Sequence, residues 1–387
     1  MITILRDAEL YAPEPLGRCS LLVGEGRVLW IGAELPALSA ELVEEEVDCR
    51  GALLIPGLVD GHAHTTGGGG EAGAETRVPA PVLSDYTRAG VTSVVGLLGT
   101  DAETRGMAEL LARTRALRTE GLSAWCYCGG YHLPPCTLTG SVRGDLVHLD
   151  AVVGAGELAI SDFRSSQPTL DELLRVASEV QVGAMIGGKA GVLHLHLGDG
   201  PRGLELVRAA LAGSELPARL FHPTHVNRRP ELLEEAFELA GRGCTVDLTC
   251  FPPTEGDAAV PAAEALARYL DADLPLERIT ASSDSGGCLP TFDGDGRLER
   301  MDVGSASSMA QTLAVLLAEG RAPERVLPAF TSSPARLLGL ERKGRLSAGA
   351  DADLVLLGTD HLPRSVMAGG RWHLRDGEVL RRGTFEA

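Results

Sequence analysis

The sequence predicts an α/β protein, a (β/α)8 TIM-like barrel with a small β-sandwich domain built from both termini. Three observations predict it. Short apolar runs alternate with amphipathic helical stretches through the middle of the chain, and turn-punctuated strands occupy both ends. The 387 residues also suffice for a barrel of ~250 residues or more plus a smaller unit.

Residues 1–56 read as the first part of the small domain. In CSLLVGEGRVLWIGAEL a hairpin turn falls at Gly24-Glu25-Gly26, and VDCRGALLIPG leads out of it. Residues 346–387 read alike: DADLVLLG, then SVMAGGRWHLRDGEVLRRG with turns at Ala368-Gly369-Gly370 and Asp376-Gly377. Between them, residues 57–345 carry eight strand-like runs: LIPGLVDGHAH, GVTSVVGLLG, SAWCYCGGYH, GELAISD, VLHLHLG, ARLFHPTHV, CTVDLTC and ITASSDS. Helical spacing of apolar residues marks AETRGMAELLARTRALRTEG, TLDELLRVASEVQVGA, GLELVRAALAGS and RPELLEEAFELAGRG. A doubly wound open sheet is the competing topology, but no dinucleotide or phosphate-loop glycine pattern supports it. The glycines at 67–70 are not followed by Gly-Lys-Ser/Thr.

Composition excludes several classes. The 35 basic and 53 acidic side chains leave a net charge of −18, which repels phosphate backbones and argues against a nucleic-acid groove. A hydrophobic content of 44% with 48 glycines suits neither a disordered chain nor a coiled coil. No apolar run approaches the ~20 residues of a membrane helix. Arg6, Asp7 and Glu9 fall where a signal peptide would need its apolar core, so a cytoplasmic location is expected. The eight cysteines show no CxxC spacing, only CYC at Cys126 and Cys128, and read as reduced buried thiols. Lysine occurs only at Lys189 and Lys343, which restricts which side chains can do lysine chemistry.

In such a barrel the active site gathers at the C-terminal ends of the strands. The first strand ends at His62 and His64, which point the same way two residues apart in an extended chain. The fourth ends at Glu157 and Asp162, the fifth holds His194 and His196, the sixth His222 and His225, and the eighth ends at Asp284. One HxH is a weak signal, but histidines and acids at successive strand ends point to a metal site. Plainer roles compete at some positions. His194 reads as packing or as support behind a ligand, and His222, before a proline, as a residue that orients a ligand. His132 is open between a site and a packing role. His148, His361 and His373 read as surface or structural, and Asp60 and Asp162 as scaffold acids.

These motifs resemble the amidohydrolase superfamily over the whole chain, through PGLVDGHAH, the sixth-strand His, the eighth-strand Asp and the closing KGRLSAGADADLVLL. Within it the sequence is similar to the isoaspartyl (β-aspartyl) dipeptidase family. HAHTTGGGGEAG, GLLGTD, TRALRTEGLSAW, GGYHLP, AISDFRS, HLGDG, PTHVNRRPELLEEA and SSDSGG carry that likeness. The resemblance implies hydrolysis of the isopeptide bond of β-aspartyl dipeptides by metal-activated hydroxide. His62 and His64 would hold one Zn2+ and His196 with His225 a second. Asp284 would be both ligand and proton shuttle. Glu157 stands where the family carries a carboxylated lysine bridging two zinc ions, so it is the expected bridge, and one ion per chain is the alternative to two. Lys189, seven residues before His196, falls at the wrong end of its strand to replace that lysine.

The resemblance also implies substrate residues. Glu71 would receive the α-amino group, Tyr131 would polarise the scissile carbonyl, and Arg164 and Arg228 would bind carboxylates. Gly69 and Thr100 would line the pocket, and Cys288 replaces an expected serine. Forked guanidinium donors suit a ligand with two carboxylates. A homo-oligomer, an octamer in the best-known case, is implied as well. The competing readings are an N-acyl-amino-acid or cyclic-amide hydrolase with a mononuclear site, and a non-catalytic scaffold barrel.

Overall fold

The computed structural model describes residues 1–251, 258–292 and 298–386. All eight strand-like runs form strands: β1 (Leu58–Ala63), β2 (Val91–Gly96), β3 (Ser123–Cys128), β4 (Val152–Ser161), β5 (Val192–Leu197), β6 (Phe221–Thr224), β7 (Val246–Thr249) and β8 (Ile279–Ser282). β1 to β6 form one parallel sheet in chain order, and β7 pairs with β8 in parallel. Nearly every residue of these strands is buried, as expected of a parallel sheet covered on both faces.

The sheet curls back on itself. The ends of β8 and β1 meet where Asp284 N donates to His62 O (3.1 Å) and His64 N to Ser285 O (2.8 Å). No ladder joins β6 to β7; the buried Asn227 side chain bridges there instead. Its Nδ2 donates to Thr249 O (3.0 Å) and Val260 O (2.9 Å), and its Oδ1 accepts from Thr249 N (2.9 Å). This mixed α/β architecture with a curled parallel sheet is consistent with a TIM barrel.

The crossover helices start and stop where local chemistry dictates. The helix Leu170–Gly187 opens on a capping box, with Thr169 N bonded to Glu172 Oε2 (2.8 Å), and closes at Gly188 with φ +64°. The helix Pro230–Gly241 has proline in its first turn.

The two ends of the chain join in one nine-stranded sheet, with Val355 paired antiparallel to Ile55 at the junction. Its hydrogen bonding joins parallel and antiparallel strands in one mixed sheet. Leu5, Leu10, Leu21, Leu54, Leu354 and Met367 belong to its own buried apolar cluster. Lys343 ties this region to the curled parallel sheet, donating to Asp353 Oδ2 and to the Ser123 hydroxyl at the start of β3 (both 2.6 Å).

Candidate metal centre

At the C-terminal end of the parallel strands, His62, His64, Glu157, His196, His225 and Asp284 converge, all buried. Asp284 Oδ1 lies 3.3 Å from His62 Nε2 and 3.1 Å from His64 Nε2. Glu157 Oε1 faces the same two rings, at 3.7 and 3.5 Å. Its other oxygen, Oε2, faces His196 Nδ1 at 3.0 Å and His225 Nε2 at 3.4 Å. One glutamate thus presents one oxygen to each pair of histidines.

A β-bulge aims that glutamate. Along β4 and β5, Ala155 pairs with Leu193 and Leu158 with Leu195, so β4 carries one extra residue opposite His194. Bulges re-aim side chains in this way. Gly156 is required at the bulge, since a Cβ there would sit 2.5 Å from His194 O. His225 and Asp284 also adopt positive φ, at 61° and 53°, a conformation uncommon for residues with a side chain and found at functional sites.

The cluster favours a cation at its centre. Burial alone would push the Glu157 carboxyl up, but His62 and His196 outweigh it and hold it well below the usual range. Burial likewise opposes the Asp284 carboxylate, and His62 with His64 reverses the sign. Burial pulls the His62 imidazole down, yet Glu157 and Asp284 raise it to about 9. Burial pushes His225 down to about 4. Both carboxylates are thus held anionic, the state metal ligation needs, and a metal at His62 would take the place of the proton that Glu157 and Asp284 hold there.

The donor set fits a divalent metal. The ligand atoms of His62, His64 and Asp284 lie within 4.8 Å of one another, as do those of His62, Glu157 and His225. His62 Nε2 and Asp284 Oδ1 are buried without a hydrogen bond among the described residues, and a cation between them would satisfy both. His196 stands outside both groups. Its Nε2 faces Asp162 Oδ2 at 3.0 Å, and Tyr131 Oη lies 2.9 Å from its Nδ1.

The expected substrate residues surround this cluster. Arg164 Nε and Nη2 fork onto the Asp162 carboxylate at 3.0 and 2.7 Å, and its Nη1 lies 3.6 Å from Glu71 Oε1. The same guanidinium sits 5.5 Å over the Tyr131 ring. Arg228 lies 5.6 Å over Phe251, which stacks on His225. Glu71 Oε2, Thr100 Oγ1 and Arg228 Nε are buried without a hydrogen bond among the described residues. Gly69, at φ +78°, has no room for a Cβ, which would meet Thr76 O at 2.4 Å. Burial and the Glu71 charge push the Cys288 thiol up to about 12, so it is present as the protonated thiol.

Two residues that build this site, Gly99 and Asp247, were not expected from the sequence. Gly99 packs so tightly that a Cβ there would meet His64 Cε1 at 2.7 Å and Glu157 Oε1 at 3.6 Å. Asp60, read as a scaffold acid, accepts from His62 N and Ser283 N (both 3.2 Å), fixing β1 against β8. Asp247 on β7 accepts three buried hydroxyl groups, those of Thr224, Thr280 and Ser282. Alternation in CTVDLTC places Asp247 and Thr249 on one face, the one signal that could have found it.

Lys189 is confined to the opposite end, where its ammonium donates to Leu149 O and Val152 O (both 2.7 Å) at the start of β4. Fold and cluster together are those of a hydrolase with a candidate metal centre on a curled parallel sheet, and residues 53–373 match the model of the amidohydrolase family. The chain belongs to that family. Among solved structures it is similar to the beta-aspartyl dipeptidase of Fervidobacterium islandicum AW-1 in complex with beta-Asp-Leu dipeptide. The two are 40% identical with a TM-score of 0.92, and the match covers 100% of each chain. A second structure of the beta-aspartyl dipeptidase from that organism is 39% identical, with a TM-score of 0.89 over 98% of each chain. Among curated proteins the chain is 28% identical over 359 residues to the adenine deaminase of Deinococcus radiodurans. That match covers 92% of this chain but 58% of the deaminase.

Proposed function

We propose that this chain is a metal-dependent dipeptidase that hydrolyses the isopeptide bond of β-aspartyl dipeptides. The observation that carries the reading is the pairing of Arg164 with Glu71 at 3.6 Å beside the His/Asp/Glu cluster. A ligand bearing a carboxylate and an ammonium would take up these two charges separately, and a β-aspartyl dipeptide has both. The full-length likeness to a beta-aspartyl dipeptidase supports the same substrate class.

His62, His64 and Asp284 would hold one Zn2+, with Glu157 bridging to a second at His196 and His225. Bound zinc supplies Lewis acidity, making water nucleophilic near neutral pH. Asp284 accepts the proton of the attacking water and returns it to the leaving α-amine. Tyr131 Oη donates to the oxygen of the scissile carbonyl as charge develops there. Arg164 and Arg228 grip carboxylates and Glu71 the ammonium, so both ends of the dipeptide are fixed and longer chains are disfavoured. Gly69 and Thr100 line the pocket, and Cys288, a weak donor, holds the substrate less firmly than a hydroxyl would.

The wider reading is a closed (β/α)8 barrel over residues 57–345, with segments 1–56 and 346–387 folded over each other as a small sandwich. The active form is a homo-oligomer, an octamer in the fullest version, working in the cytoplasm. No described helix is long and apolar enough to cross a membrane. One observation favours a mononuclear amide hydrolase as second reading: His62 is common to both groups of close ligand atoms, and His196 stands outside them.

The test is β-Asp-Leu hydrolysis by zinc-loaded protein beside its N-acetylated analogue, with metal counted per chain. Turnover of the free dipeptide with about two zinc ions supports the reading. Equal or faster turnover of the N-acetyl compound with one ion moves the assignment to the mononuclear alternative.

A further inference from the structure

Behind His62 a chain of buried side chains crosses the interior of the sheet. His62 Nδ1 lies 2.8 Å from His194 Nε2, and His194 Nδ1 lies 2.9 Å from His222 Nδ1. His222 Nε2 lies 3.0 Å from Thr280 Oγ1, which lies 2.5 Å from Asp247 Oδ1. Thr224 and Ser282 donate to the other oxygen of Asp247, at 2.8 and 2.6 Å. None of His62, His194, His222, Thr280 or Asp247 is more than 1% exposed. Register places the members: His194 is the partner of His222 across β5 and β6, and Asp247 of Thr280 across β7 and β8. Tyr127 stacks on His194 at 5.0 Å and fixes its plane.

The donors and acceptors allow one direction only. A carboxylate accepts and cannot donate, so the Thr280 hydrogen points to Asp247; its other neighbour, Val246 O, is farther off at 3.4 Å. Thr280 Oγ1 then accepts from His222 Nε2–H, leaving His222 Nδ1 as acceptor. His194 must donate to it from Nδ1, so His194 Nε2 accepts from His62 Nδ1–H. Of the six ring nitrogens five are bonded within the chain, and the sixth, His62 Nε2, is the one that faces Glu157 and Asp284.

We propose that Asp247, Thr280, His222 and His194 form a one-directional hydrogen-bond relay that fixes the tautomer and ring orientation of His62. The relay holds its Nε2 lone pair on the metal. These are positioning residues: they touch neither substrate nor ion, and the proposal rests on reading the cluster as a metal centre, whatever the substrate. Groups that orient a ligating histidine contribute about 10- to 100-fold in metal affinity.

The test separates hydrogen bonding from packing at Thr280. Thr280→Val keeps the β-branched shape and removes the hydroxyl; Thr280→Ser keeps the hydroxyl and removes the methyl group. Full-length metal-free protein is titrated with Zn2+ against a chromophoric chelator, and folding is followed by circular dichroism. The relay predicts about 10- to 100-fold weaker zinc binding in the valine variant and near wild-type binding in the serine variant. A merely structural role predicts the opposite order, and equal affinity in both variants also overturns the relay. Asp247→Asn, which introduces a donor at the accepting end, must weaken zinc binding too. A wild type that binds no zinc overturns the metal centre and the relay with it. Failure of β-Asp-Leu turnover with the predicted zinc ranking intact would overturn only the substrate reading.

Discussion

Glu157 and His64 meet across the mouth of the curled sheet, with Glu157 Oε1 3.5 Å from His64 Nε2, while Glu157 Oε2 points away to His196 and His225. A short side chain therefore spans the two halves of the cluster. Three features put it there: the bulge in β4, the glycine at 156 and the glycine at 99, where a Cβ would collide with His64.

Replacing that carboxylate tests the bridge. Glu157→Ala is expected to lower bound zinc, measured by atomic emission, and to lower kcat/KM by at least about 10²-fold, the scale of removing one preorganised electrostatic group. Unchanged metal content would exclude Glu157 as a ligand.

Tyr131 and Arg164 should divide between kcat and KM. Under the proposed mechanism Tyr131→Phe removes the donor to the developing oxyanion, so kcat for β-Asp-Leu should fall about 10²–10³-fold with little change in KM. Arg164→Lys loses the fork that now grips Asp162, so KM should rise about 10- to 100-fold. Steady-state kinetics on the two variants checks both.

Asn227 is the seam between β6 and β7. Asn227→Ala removes three buried hydrogen bonds, each contributing about 1 kcal/mol net. The expected loss is about 2–4 kcal/mol, read as a lower midpoint in urea denaturation. An unchanged midpoint would mean that the seam is held by packing alone.

His373 gives the fold an acid weakness. Its ring is buried with neither nitrogen hydrogen-bonded among the described residues. Burial, aided by Arg381 and Arg371, lowers its pKa from 6.5 to about 4. The unfolded chain therefore binds more protons between these values, so this contribution is complete above about pH 6.5 and is lost as pH falls through about 4. His373→Leu should remove that loss and raise stability at pH 4.5 by on the order of 1–3 kcal/mol. Thermal melts of both proteins at pH 7 and 4.5 measure it; a variant with unchanged acid sensitivity would refute the assignment.

Much of this was legible in the chain. Short apolar runs marked all eight parallel strands, because a strand buried on both faces leaves little room for polar residues. His62, His64, His196, His225 and Asp284 stood at strand ends, where this topology collects function. Less legible were Gly99, Gly156 and Asn227. Their roles depend on what lies across from them: a ring, a bulge and an unpaired strand edge.

The sequence by itself determined the order of strands and helices, the acidic surface and the set of residues able to ligate a metal, since these follow from local periodicity and side-chain type. Only the tertiary structure decided that Glu157 divides its two oxygens between histidine pairs, that His196 turns to Asp162, and that the Lys189 ammonium donates to Leu149 O and Val152 O. It alone aligned Asp247, Thr280, His222 and His194 behind His62. The physical reason is that hydrogen bonds and ligand sets act over about 3 Å, whereas these partners lie on different strands and meet only through register and curl.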